Sequence, residues 1–254
     1  MKRWRGIVVP VVLLVLAEVA FRVSVGASDS LAPPSRIVVA LLDAFRDGSL
    51  LVGTLKTLGT MLVGLAIGTV GGLAAGIALG SSEILRRAAF LTIEMLRPIP
   101  SVALLPLSLL IFGFGYRMEI AVIAFATFWP SLILTQSAVA QIEPRLIEVS
   151  RLLGLTHLQT AWKIVLPAAA PRLMTALRLA AGLALVVAVT AEIVSNPQGL
   201  GHDLMIAQET LRPDRMFAVL FWVGLLGWGK NAALLRLERW LFAHRGEVDT
   251  GIAA

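Results

Sequence analysis

Apolar residues in this chain gather into long runs instead of alternating with polar ones. Thr57 to Ser82 and Ile120 to Ile142 carry no charged residue, and Pro98 to Tyr116 is uncharged but broken by prolines and glycines. A membrane-crossing helix needs roughly 20 predominantly apolar residues, and these runs meet that length. Less clean runs, each with one or two ionisable residues, cover Gly6–Val25, Leu173–Val194 and Met216–Leu235. The pattern predicts an all-α fold, a polytopic transmembrane helical bundle of about six spans. Their expected bounds are about 6–25, 51–80, 90–112, 118–141, 173–195 and 216–243, within one domain over 1–254. The first run also fits a signal peptide, with Lys2-Arg3-Trp4-Arg5 ahead of it and Val25-Gly26-Ala27 as a cleavage site. That alternative would leave five spans and move none of the remaining segments.

Local signals refine the spans. After the loop Leu31-Ala32-Pro33-Pro34-Ser35, the apolar residues Ile37, Val38, Leu41, Leu42 and Phe45 recur at helical spacing. With Arg36, Asp43, Arg46 and Asp47 on the other side, this helix should lie in the outer interface. The second span places Gly64, Gly68, Gly72, Gly76 and Gly80 four residues apart. Such a stripe lets another backbone approach closely, either inside this bundle or at a dimerisation or sliding surface. Arg97-Pro98-Ile99-Pro100 and Leu105-Pro106 break the third span, because proline removes an amide donor and kinks a helix. Asn196-Pro197-Gln198-Gly199-Leu200-Gly201 is a turn cluster, followed by a polar outer segment to Arg215.

Composition agrees: 57% of residues are hydrophobic, 15% charged, and mean hydropathy is +0.85, against about a quarter charged in soluble domains. With no cysteine, disulfides, thiolate metal sites and cysteine nucleophiles are excluded. His157, His202 and His244 show no ligand spacing, and neither a metal site nor a catalytic constellation is expected. The net charge of +6 reads as membrane orientation, with no nucleic-acid partner. Lys2, Arg3, Arg5, Arg86, Arg87, Arg145, Arg151, Lys163, Arg172, Arg236, Arg239 and Arg245 fall on one side. The other side mixes Arg36, Arg117 and Arg215 with Asp29, Glu119, Asp203 and Asp214. Both termini and the 142–172 segment are therefore expected on the cytoplasmic side.

That segment is the most informative stretch. Glu148-Val149-Ser150, then Gly154, then Ile164-Val165-Leu166-Pro167 reads as a short helix, a tight turn and a second short helix. Such an element at a membrane surface can be gripped by a soluble partner, although alone it is also compatible with a cytosolic helical hairpin. It resembles the cytoplasmic coupling (EAA) loop of bacterial ABC importer permeases, departing at Val149 and Ser150, where alanines are usual. Leu96-Arg97-Pro98-Ile99-Pro100, Leu104-Leu105-Pro106-Leu107, Phe112-Gly113-Phe114-Gly115, Ala191-Glu192-Ile193-Val194, Gly199-Leu200-Gly201 and Leu235-Arg236-Leu237-Glu238-Arg239-Trp240-Leu241 are similar to the nitrate/sulfonate/taurine-type branch. Together they extend the resemblance over residues 31–246.

The resemblance implies a transport subunit of the type I importer fold in the inner membrane, not an enzyme. It implies two ABC ATPase subunits as partners, a periplasmic or lipid-anchored solute-binding protein, a second copy of this chain, and surrounding membrane lipid. ATP and Mg would be bound by the ATPase, with no cofactor on this chain. Glu148, Ser150, Leu152, Leu153, Gly154, Leu155, Leu158, Leu166 and Pro167 would couple to the ATPase. A small anionic solute such as an alkanesulfonate, taurine or nitrate would cross by alternating access at a homodimer interface. Glu94, Arg97, Pro98, Pro100, Ser101, Thr127, Ser131, Thr190 and Glu192 are the candidate pathway or gate residues, with Arg97 expected near the cytoplasmic side and paired with Glu94. Ser and Thr can instead bond back to their own helix, and Glu192 can be structural. Gly224 to Lys230 matches the glycine and lysine positions of a P-loop, but Asn231 stands where the Mg²⁺-binding Ser or Thr belongs. An ion-coupled secondary transporter is the alternative; it would need ionisable groups near mid-membrane.

Overall fold

The computed structural model describes residues 5–24 and 31–242. The readings on Lys2, Arg3, Trp4, Asp29, His244 and Arg245, and the Val25-Gly26-Ala27 cleavage site, lie outside the described residues. Helix α1 (Arg5–Ser24) is followed by α2 (Pro34–Arg46) and α3 (Ser49–Ser81). Next come α4 (Glu83–Leu96), a 3₁₀ turn (Ser101–Leu104), α5 (Leu105–Phe112) and α6 (Tyr116–Ala140). After α7 (Pro144–Leu152) and α8 (His157–Thr160), a π-helical turn (Ala161–Val165) leads into α9 (Leu166–Ser195), α10 (Leu200–Glu209) and α11 (Pro213–Phe242).

Four helices among the described residues are long and apolar enough to cross a membrane, or five if the bent pair α4 and 101–112 is one span. Large apolar side chains such as Leu55, Val70, Phe221 and Trp228 are each at least 59% exposed on these helices. Lipid is the solvent that makes such a surface stable.

Helices α3 and α6 form the most extensive pair in the bundle, and the glycine stripe explains why. A Cβ added to Gly64 would sit 2.7 Å from Ile123 Cβ, at Gly68 2.1 Å from Thr127 Oγ1, and at Gly76 2.6 Å from Thr135 Cβ. The glycines at 72 and 80 meet Phe128, Ser131 and Val139 equally closely. The stripe is therefore spent within this chain and leaves no free small-residue surface there. A second small-residue face, Ala176, Ala180, Ala184 and Ala188, sits on α9 with each residue at most 3% exposed. Around it Met61, Leu105, Met118, Val122, Ile123 and Leu185 close the core.

The outer elements lock on through polar contacts. Helix α2 starts at Pro34 and borrows its cap from α1: Ser35 N–H and Oγ–H donate to Glu18 at 3.0 and 2.9 Å. Trp222 of α11 donates to Thr54 Oγ1 at 2.8 Å and meets Phe45 edge-to-face at 4.7 Å. The polar outer segment after residue 201 is helical, and α10 buries Leu200, Gly201 and Ala207 against its neighbours. Gly199, at φ +97°, makes the turn that admits it. On α11 the P-loop-like lysine has a structural use, since Lys230 Nζ donates to the Ala181 carbonyl of α9.

Candidate functional site

Polar residues 142–172 build a knob beyond the end of α6. Gly154 adopts φ +64° and turns the chain back after α7, a conformation that glycine reaches without steric cost. Leu155 N–H donates to Ser150 O at 3.0 Å across that turn. Thr156 and Gln159 then form a reciprocal cap, with Thr156 N–H to Gln159 Oε1 at 3.0 Å and Gln159 N–H to Thr156 Oγ1 at 3.3 Å. The chain does not loop before the next span. It winds through the π turn, where Leu166 N–H bonds to Ala161 O, straight into α9. Pro167 would press its ring on the carbonyl four residues earlier in an α-helix, and the wider turn relieves that clash. The helical run Ala161–Ser195 has 35 residues, about 52 Å at 1.5 Å per residue. That exceeds a hydrocarbon core of about 30 Å, so part of this run stands outside it.

Of the expected coupling residues, Leu152 and Leu153 are 86% and 66% exposed, and Glu148 is exposed beside them. Ser150 is buried at 2% and anchors the knob. Leu155, Leu166 and Pro167 are half-buried at its base, and Leu158 falls in α8. Trp162, 65% exposed, extends the same apolar surface and escaped the motif-based reading. The Thr156-x-x-Gln159 capping pattern was the available signal that a second helix begins there.

The candidate pathway residues separate into three groups. The first is the break: α4 and the 101–112 segment meet at 81°, with Arg97 ending α4 and Pro100 at ψ 118° starting the 3₁₀ turn. Arg97 and Ser101 line a cavity of about 380 Å³ with Phe125, Trp129, Leu183 and Val187. Trp129 is the fourteenth of the 25 residues of α6, so this cavity lies beside the middle of that helix. The expected Glu94–Arg97 pair is also absent among the described residues; both side chains are exposed, and neither has an ionic partner.

Thr127, Ser131 and Thr190 make the second group. Thr127 and Ser131 are at most 1% exposed, donate to Ile123 O and Thr127 O at 2.8 Å, and are pressed against the glycines of α3. Thr190 donates to Val186 O at 2.7 Å. Each hydroxyl spends its donor on its own helix.

Glu192 belongs to a third group that sequence reasoning only half found. It is 1% exposed, and its Oε2 accepts from Thr57 Oγ1 at 3.0 Å and Gly201 N–H at 2.8 Å. Thr57 Oγ1 accepts in turn from Leu200 N–H at 3.0 Å. A Cβ on Gly199 would lie 2.1 Å from Glu192 Oε1, which explains the Gly199-Leu200-Gly201 sequence. Glu119, expected on the outer side at the start of the fourth span, is fully buried and accepts from Asn196 Nδ2. Among the described residues no arginine serves Glu192; backbone and hydroxyl donors clamp α10 to α3 and α9.

With this geometry in place, comparison with known proteins is decisive. The family described as "Binding-protein-dependent transport system inner membrane component" matches residues 68–242. The chain belongs to this family. It is 28% identical to the putative aliphatic sulfonates transport permease protein SsuC of Bacillus subtilis (strain 168), over 96% of this chain and 89% of that one. It is 30% identical to the taurine transport system permease protein TauC of Escherichia coli (strain K12), over 86% and 82% of the two chains. A chain of the MetNI methionine ABC transporter, in an inward-facing conformation, superposes with a TM-score of 0.68 at 26% identity, over 75% of this chain and 95% of that one. The fold is thus that of type I ABC importer permeases, and the chain is a membrane-spanning transport subunit. In this permease the knob, the break and the Glu192 clamp occupy three levels of one bundle.

Proposed function

We propose that this permease forms the membrane pathway of an ATP-driven importer for a small organic anion, working as a homodimer. The knob of α7, Gly154 and α8 seats in a groove on a partner ATPase, one per permease copy. Glu148 pairs with a cation of that partner, while Leu152, Leu153 and Trp162 supply apolar contact. ATP and Mg are held by the ATPase. A binding protein delivers solute at the opposite face, and both termini and the knob lie in the cytoplasm. Rigid-body motion of the knob is transmitted through α9 to the α3–α6 seam and switches access between the two sides.

The observation that carries this reading is the knob itself: an ordered, capped element whose apolar tip faces solvent. An exposed apolar patch of this kind marks an interaction surface. The sulfonate and taurine names of two relatives support the solute class. Buried Glu119 and Glu192 are groups that an ion-coupled carrier could use, but Glu192 is already held by two donors in a turn.

The test is to purify the chain from its native host in mild detergent and compare it with a Glu148→Arg, Gly154→Pro double variant. Proline fixes φ near −65°, whereas residue 154 requires +64°. An ATPase that accompanies the native chain and is lost from the variant supports the reading. A native chain that carries no ATPase, under conditions that keep other complexes intact, contradicts it.

A further inference from the structure

The cavity at the break holds chemistry that coupling does not explain. A guanidinium inside a membrane bundle is costly, and such groups face a cavity or mark a solute path. Among the described residues no hydrogen bond or ion pair engages the Arg97 guanidinium, although the residue lines this pocket. Arginine stays charged and presents five donors. One further donor stands in the lining, the Ser101 hydroxyl; Trp129 lines the cavity with its ring, its indole N–H being buried and without an acceptor among the described residues. The rest of the wall is apolar, including Ile99, Phe125, Ile133, Leu134, Leu183 and Val187, and no carboxylate lines it. The site therefore offers a cation and a hydroxyl to one end of a ligand and hydrocarbon to the other, with no anionic group among the described residues to pair with an ammonium.

We propose that this cavity is the mid-membrane station of the transported solute, selecting an oxyanion with a short apolar tail over a zwitterion. The inference rests on the importer reading above and narrows its solute class. The oxyanion head meets Arg97 in charge-assisted hydrogen bonds, and the tail lies along Phe125, Leu183 and Val187. Taurine and propanesulfonate make the discriminating pair, because they differ by an ammonium in place of a methyl group. Burying that ammonium here leaves its charge without an anionic partner. Nitrate lacks the tail and would lose the apolar contact.

The experiment is isothermal titration of the detergent-purified permease–ATPase complex without binding protein, using propanesulfonate, taurine and nitrate as probes. Propanesulfonate is expected to bind at least about tenfold more tightly than taurine. Arg97→Gln is expected to weaken it by about tenfold to a hundredfold, the scale of a hydrogen bond to a charged group, with Arg97→Lys in between. Arg97 holds nothing in the fold, so its removal should leave the complex intact, which co-purified ATPase checks. Leu183→Trp, at a position 44% exposed, fills the cavity and should abolish binding with Arg97 still present. Equal binding by native and Arg97→Gln complexes overturns the proposal, as does taurine binding as well as propanesulfonate. No propanesulfonate binding to an intact complex overturns it too. A chain that carries no ATPase yet binds propanesulfonate through Arg97 overturns the importer reading and leaves this site standing.

Discussion

The glycines of α3 and the glycine of the knob use the same residue for opposite purposes. At Gly68 the backbone is ordinary helix, and what matters is the missing side chain, with Thr127 Oγ1 and the Ala124 carbonyl 2.1 and 2.4 Å from where a Cβ would be. At Gly154 nothing lies within 4 Å of that position, and what matters is φ +64°. One region is closed by contact with its own chain; the other is shaped by the chain and left open. A machine that transmits force needs both, a stiff seam and a free handle. Substitutions should therefore act on assembly in the first region and on partnership in the second.

Gly68→Val is the most severe test. Overpacking costs typically about 1–3 kcal/mol and occasionally more, and here the obstruction includes backbone, so monodisperse protein should be lost in size-exclusion chromatography. Glu192→Ala comes next, stranding the Thr57 hydroxyl and the Gly201 N–H at about 1–3 kcal/mol for each buried donor; a lower midpoint of thermal unfolding in detergent checks it. Gly154→Ala meets no neighbour and pays only for a left-handed backbone, about 1–2 kcal/mol, so thermal stability should fall little while ATPase recovery falls measurably. If Gly154→Ala proves as damaging to assembly as Gly68→Val, the contrast between seam and handle is wrong.

A smaller effect follows from Asp203 on α10. Burial raises its carboxyl above the usual carboxylate range, opposed by Arg215 nearby. A carboxyl raised in the fold contributes stability below its unfolded pKa and loses it as pH climbs through the folded value. Asp203→Asn should then stabilise by less than about 1 kcal/mol at pH 7 and by nothing near pH 3, as thermal unfolding at the two pH values will read.

Much of this was legible because membranes impose a simple code. Long uncharged runs had to be helices, the four-residue glycine period had to be a close approach, and the prolines from 98 to 106 had to break a span. The surroundings of Arg97 were less accessible, because they depend on the 81° bend, which no residue count supplies. The fate of Thr127 and Ser131 was open for a related reason: a hydroxyl on an apolar helix looks the same whether it faces a path or its own carbonyls. Glu119 was misassigned because it follows Arg117 at a span end, where charge ordinarily means solvent; Asn196, 77 residues away, makes its burial tolerable. The second small-residue stripe on α9 was visible as Ala176, Ala180, Ala184 and Ala188 and passed unread, since alanine is common on every helix.

The central claim is that the tip of the knob is where the ATPase is held. The chain contains no cysteine, so a single one can be placed without background. Leu152→Cys on the tip should cross-link to the ATPase in native membranes, while Ile67→Cys, exposed on the apolar face of α3, should not. The account predicts an ATPase-containing product from position 152 alone. No such product from position 152, or equal products from both positions, would contradict it.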